Sequence, residues 1–217
     1  GIKVEAIIDT REKSNSEFTT EVESLGIKIY RSSTIVDTEG YKRINKVSIM
    51  ELSKDGQSFA NSEKIKLDCD CLAIAGGWTP AVHLFTQSGG KLKFRDEDQV
   101  FIPNKYPSDQ VSVGSCNGDF ELDDIITNTS KTLIEFLNIK ETIYDDLKIK
   151  CPKDKEIRNI WLLPSDKVIG KTKPFVDYQN DATAKDIKLA LREGFRSIEH
   201  VKRYTTTGMG TDQGKLG

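Results

Sequence analysis

The chain has 217 residues, with 32 Lys and Arg against 34 Asp and Glu, for a formal net charge of −2. That near-balance argues against a dedicated nucleic-acid binder, which carries a clustered basic excess, and no apolar run approaches the roughly 18 residues of a membrane span. With the 16 glycines included, about 43% of the chain is apolar, enough for the core of one large domain or two small ones.

In chain order, residues 3–8 read as a short buried strand ending at Asp9-Thr10-Arg11. Phe18, Val22 and Leu25 follow at near-helical spacing, with Gly26 placed to stop that helix. Residues 27–30 form a second strand. Residues 34–37 and 41–52 predict a hairpin around Glu39-Gly40, with a further turn at Asp55-Gly56. Residues 65–75 carry the strongest strand pattern and run into Ala75-Gly-Gly-Trp-Thr-Pro80, where residues 80–87 start a helix. Residues 111–113 predict another strand, closed by Gly114, and Leu122, Ile125, Ile126, Leu133, Ile134 and Leu137 are spaced as a helix. Alternating strands and helices define an α/β layer over residues 1–140.

Composition changes after Lys140. Residues 141–174 hold Pro152, Pro164 and Pro174 and one apolar patch at 157–163, and read as a connector packing a single strand. Residues 175–217 read as a small helical domain. In it Thr183-Ala-Lys-Asp186 forms a capping box with Asp in place of Glu, Gly194 ends the first helix, and Ser197 caps a second.

Cys69, Cys71, Cys116 and Cys151, with His83 and His200, lack metal-ligand spacing, so no metal site is expected. The cysteines read as buried reduced thiols of a cytoplasmic protein. The chain opens at Gly1 with neither a methionine nor a charged-then-apolar leader. It reads as an interior piece of a longer polypeptide without a signal peptide.

Three stretches carry candidate chemistry. Asp9 is an acid at a strand end, the place where dinucleotide-binding folds hold a ribose hydroxyl, and Arg11 beside it suits either a 2′-phosphate or a plain ion pair. Ala75, Gly76, Gly77 and Trp78, paired with Gly114, Asn117 and Gly118, are two strand ends where missing side chains allow close approach of a dinucleotide. Ordinary strand-to-loop turns would read the same way. Their arrangement resembles the disulfide-oxidoreductase flavoproteins, but Gly114-Ser115 stands where those proteins carry an acid supporting FAD, so NAD or a lapsed site fits better.

The third stretch is Phe175-Val-Asp-Tyr-Gln-Asn-Asp-Ala-Thr-Ala-Lys-Asp-Ile187, followed by Arg192-Glu-Gly-Phe-Arg-Ser-Ile-Glu-His-Val-Lys-Arg-Tyr-Thr-Thr-Thr-Gly-Met-Gly-Thr-Asp-Gln-Gly-Lys215. It closely resembles the alpha subunit of heterotetrameric sarcosine oxidases, and residues 75–80 with His83-Leu84 extend the likeness toward the N-terminus. The resemblance implies an oxidoreductase segment that comprises the later part of an NAD-binding module and a small helical domain. No catalytic acid, base or nucleophile is expected in it. It implies FMN shared with a beta subunit, FAD on that beta subunit, tetrahydrofolate in a C-terminal domain outside these residues, and gamma and delta partners. A non-catalytic docking module and the equivalent subunit of a related amine dehydrogenase are the alternatives.

Residues 175–217 also look like the bacterioferritin-associated-ferredoxin type of [2Fe–2S] domain. That comparison puts Asp177, Gln179, Asp212 and Gly217 where four cluster cysteines belong. It implies the scaffold without the cluster. Lys202, Arg203, Thr205, Thr206, Thr207, Gly208, Gly210 and Gln213 are then the expected contacts of the FMN phosphate. A Lys-Arg pair in a last helical turn also simply offsets the helix dipole.

Overall fold

The computed structural model describes residues 1–13, 17–107, 109–139, 157–165, 167 and 172–215. The fold is mixed α/β and divides into two compact units, residues 1–54 with 60–160 and residues 55–59 with 161–217.

In the first unit, β1 (Ala6–Ile8) and β2 (Lys28–Tyr30) pair in parallel, with Ala6 opposite Lys28, and α1 (Glu17–Ser24) joins them. Parallel neighbours cannot be joined by a tight turn, so a crossover helix is the economical connection. β3 (Ser33–Gly40), β4 (Ile44–Glu51) and β5 (Ile65–Asp68) then form an antiparallel sheet with β4 central. Central placement buries Val47, Ile49 and Met50, and Leu52 just beyond joins them. The predicted hairpin turn falls slightly later, because Gly40 still pairs with Ile44 and residues 41–43 make the bend.

Three predicted strands are corrected. The 65–75 strand stops at Asp68, because β4 offers no further rung once the Cys69 N–H donates to the Asn45 carbonyl at 3.1 Å. Beyond it the apolar residues lack a ladder, and Ile74 is 82% exposed. Residues 111–113 form no strand; Val113 is extended (φ −135°, ψ 158°), but the chain turns at once into a 3-10 helix at Gly114–Asn117. Residues 157–163 form no strand either, and the rest of the predicted connector, apart from 164, 165, 167 and 172–174, lies outside the described residues.

A further hairpin, unpredicted from the sequence, is formed by β6 (Lys91–Arg95) and β7 (Val100–Lys105). Phe94 and Phe101 meet edge-on across it, with ring centroids 5.1 Å apart. The helix predicted from Pro80 begins as α2 (His83–Gln87), whose Phe85 is buried against Tyr106. α3 (Leu122–Leu137) takes its predicted range and ends on Asn138 in the left-handed conformation.

The second unit opens on a short antiparallel pair, β8 (Phe175–Asp177) with β9 (Ala182–Thr183), before α4 (Ala184–Arg192) and α5 (Ile198–Thr205). The predicted capping box is present: Asp186 Oδ2 accepts from the Thr183 N–H at 2.8 Å and from its hydroxyl at 2.7 Å. Ser197 is the N-cap of α5 but makes no side-chain cap bond, contrary to expectation. Ala182, Ala190 and Val201 form the core of this unit. No helix among the described residues is long and apolar enough to cross a membrane.

Candidate functional site

Asp9 follows β1, and its backbone N–H donates to the Tyr30 carbonyl of β2 at 2.9 Å, which fixes the acid at the end of the parallel pair. Arg11 closes on it: the Arg11 N–H donates to Oδ1 at 2.9 Å, Nε to Oδ1 at 3.0 Å and Nη2 to Oδ2 at 2.8 Å. Burial works to raise the Asp9 pKa, but the Arg11 hydrogen bonds and the charges of Arg11 and Arg31 outweigh it and hold the carboxyl below its usual range. Both carboxylate oxygens are therefore occupied by Arg11. A sugar diol would bind Asp9 by displacing those bonds.

Ala75, Gly76, Gly77 and Trp78 lie in an exposed stretch, with Trp78 83% exposed. A Cβ at Gly76 or Gly77 would meet nothing within 4 Å, so both leave room for an approaching group. Gly114, Asn117 and Gly118 sit together on the 3-10 turn. Gly118 faces inward: at φ +86°, a Cβ there would lie 2.8 Å from Arg95 Nη2 and from Ile102 Cγ2. Its glycine serves packing, which corrects the expectation of an open approach at that residue. Arg95 pairs with Asp98 and donates to the Gly118 carbonyl at 2.7 Å, locking the turn. The next residue, Asp119, carries no motif that marks it in the sequence. Its Oδ1 accepts from Asn128 at 3.0 Å, while its buried Oδ2 has no hydrogen-bond partner among the described residues. An orphaned acceptor of this kind suits a ligand hydroxyl.

In the second unit Asp177 is the hub. It is 2% exposed, and its Oδ1 accepts from the Gln179 and Asn180 N–H groups at 2.8 and 3.2 Å. Oδ2 accepts from Asn180 Nδ2 at 3.3 Å and from the Gly208 N–H at 2.7 Å. The Gly208 N–H, followed by burial working against it and then the Asn180 and Gln179 donors, leaves the carboxyl below its ordinary range. Gln179 Oε1 in turn accepts from the Thr211 hydroxyl at 3.0 Å and the Asp212 N–H at 3.3 Å. Three of the four positions aligned with cluster cysteines thus meet in one hydrogen-bonded network; Gly217 lies outside the described residues. Gly210 packs on the same side chain, where a Cβ would come within 2.3 Å of Gln179 Oε1.

The expected phosphate contacts divide accordingly. The Gly208 N–H is turned inward onto Asp177 and is not presented outward, contrary to expectation. Arg203 holds Glu199 at 3.0 Å. The Thr205 hydroxyl bonds the Val201 carbonyl at 2.8 Å and meets the Thr207 hydroxyl at 2.7 Å, and that of Thr206 donates to the Thr205 carbonyl. Gln213 Nε2 donates to the Gly210 carbonyl at 2.9 Å. Half-buried Lys202 and the Gly210 and Thr211 amides, which have no acceptor among the described residues, are the groups that fit an anion. An open pocket of about 260 Å³ is lined by Asn180, Asp186, Leu189, Tyr204 and Thr205, and by none of Lys202, Gly210 and Thr211.

The cysteines differ from the buried set expected: Cys71 is exposed, while Cys69 and Cys116 are half-buried and outside any disulfide. Burial pushes the Cys69 thiol up, with the acids around it adding to the effect. Cys151 lies outside the described residues. No group of three or more His, Cys, Asp or Glu among the described residues is placed to hold a metal ion.

Residues 171–217 match the family described as the sarcosine oxidase A3 domain. Sarcosine oxidase subunit alpha of Rhizobium meliloti (strain 1021) is 33% identical over 100% of this chain and 20% of its own length. The corresponding subunit of Corynebacterium sp. (strain P-1) is 31% identical over 98% of this chain and 22% of its own. From end to end, this chain is similar to sarcosine oxidase alpha subunits. It spans about a fifth of the length of those sarcosine oxidase subunits. The resemblance carried by residues 175–215 therefore extends along the whole chain. A crystal structure of L-proline dehydrogenase from P. horikoshii shares the fold, with a TM-score of 0.55 and 20% identity over 97% of this chain and 42% of that one.

Proposed function

We propose that the chain is a segment of the alpha subunit of a heterotetrameric sarcosine oxidase, an oxidoreductase acting on the CH–NH group of its donor with oxygen as acceptor. The observation that carries this reading is the similarity to sarcosine oxidase alpha subunits along the whole chain. In this reading the first unit supplies contacts to NAD. Asp9 and Arg11 face its ribose, the open glycines of residues 75–78 face its backbone, and Asp119 accepts a sugar hydroxyl. The second unit supplies one wall of an FMN site completed by the beta subunit, with Lys202 and the Gly210 and Thr211 amides toward the phosphate. FMN, when bound, supplies the redox chemistry; this segment binds and orients. FAD resides on the beta subunit, tetrahydrofolate in a further domain of the alpha subunit, and gamma and delta subunits complete a cytoplasmic complex.

A second reading, in which the helical domain of residues 175–217 only docks a partner, is favoured by one observation: Gly208 and Arg203 are engaged inside the chain. Cofactor analysis separates the two. Extraction of the complete multi-subunit complex should release NAD and yield FMN beside FAD, and Lys202→Ala should lower FMN content several-fold while leaving NAD unchanged. A complex without FMN leaves the docking reading in place.

A further inference from the structure

We infer that Asp177 is a positioning residue that shapes the 206–210 loop for its ligand, an inference that rests on reading the second unit as one wall of a flavin phosphate site. The four hydrogen bonds that converge on its carboxylate all run toward it, from the backbones of Gln179, Asn180 and Gly208 and the side chain of Asn180. Amide dipoles hold the buried charge, so the site demands an anion that accepts and never donates.

One of these four contacts reaches across the chain, and the side-chain donor of another makes a second long-range bond. Gly208 lies 31 residues beyond Asp177. Asn180 Nδ2 donates both to Asp177 and to the Thr206 carbonyl, the latter at 3.1 Å. Together they grip the backbone on both sides of Thr207. Thr206 itself sits at φ +60°, a conformation that a threonine keeps only when its surroundings impose it. As the C-cap of α5, it is held there by the clamp together with the Met209 N–H, which donates to the same carbonyl at 3.1 Å.

The consequence for the ligand is directional. With the Gly208 N–H drawn inward, the chain turns so that the Gly210 and Thr211 amides are the next without an acceptor among the described residues. The Gln179 side chain holds that second half of the loop through Thr211 and Asp212. A residue at a position aligned with a cluster ligand thus organises the loop expected to face the flavin phosphate.

The test uses the complete multi-subunit complex and measures FMN, both extractable and protein-linked, relative to FAD. Asp177→Asn keeps the shape but turns one accepting oxygen into a donor facing donors. It should cut FMN content to about a tenth of wild type or less, in line with the loss of hydrogen bonds to a charged group. NAD content and subunit ratio should stay unchanged. Adding Thr206→Gly to that variant should restore FMN several-fold, since glycine takes the left-handed conformation without the clamp. Wild-type FMN content in Asp177→Asn would overturn the inference, as would joint loss of subunits and all cofactors with no recovery in the double variant. If Lys202→Ala lowers FMN and Asp177→Asn does not, only the role of Asp177 falls. If neither variant changes FMN, the flavin-site reading falls with it.

Discussion

Asp9 and Asp177 show two ways for one chain to keep a carboxylate ionised. Asp9 relies on a guanidinium, Asp177 on backbone and amide donors. The difference predicts different responses to change. Asp9 is held below its ordinary 3.8, so its pairing stabilises the fold above that pH and the contribution is lost as pH falls through the lower folded value. Arg11→Ala should therefore destabilise the chain at pH 7, and the deficit should shrink once the pH drops below about 4. Urea unfolding midpoints of both proteins at neutral and acid pH check this; a deficit that stays constant across that range would contradict the pairing. At the same scale, Arg158 spans three backbone carbonyls, those of Thr10, Ser53 and Lys54, and so ties the loop behind Asp9 to the end of β4.

Among the elements, those read correctly from the sequence are the ones whose cause is local. α3 follows its apolar spacing, and α4 starts where Thr183 and Asp186 satisfy each other three residues apart. Asp186→Ala should cost about 1 kcal/mol, the usual price of a lost helix cap. Denaturant unfolding measures that loss, and an unchanged midpoint would mean that α4 is held by packing alone. Strands are legible only where a partner exists. Residues 65–75 and 111–113 have strand composition, yet only the part that meets β4 becomes one. The β6–β7 hairpin was visible in principle, since Leu92 and Phe94 alternate with Lys91, Lys93 and Arg95. Asp177 was placed by alignment with a cluster cysteine, but its role was not legible, because its decisive partner, Gly208, is 31 residues away. The inward turn of the Gly118 backbone likewise depends on Arg95 and Ile102, from another hairpin.

For the whole molecule, the two units carry two separate halves of the functional reading. The first presents Asp9, the open Gly76-Gly77 stretch and the orphaned Asp119 oxygen; the second presents a loop ordered from within by Asp177 and Gln179. The chain spans about a fifth of the sarcosine oxidase alpha subunits it matches, so the decisive measurement belongs to the intact assembly. Sarcosine added anaerobically to the complete complex should bleach its flavin absorbance, and admission of oxygen should restore it. Flavin that stays oxidised under sarcosine, but bleaches with another secondary amine, would contradict the proposed activity and leave only the scaffold in common.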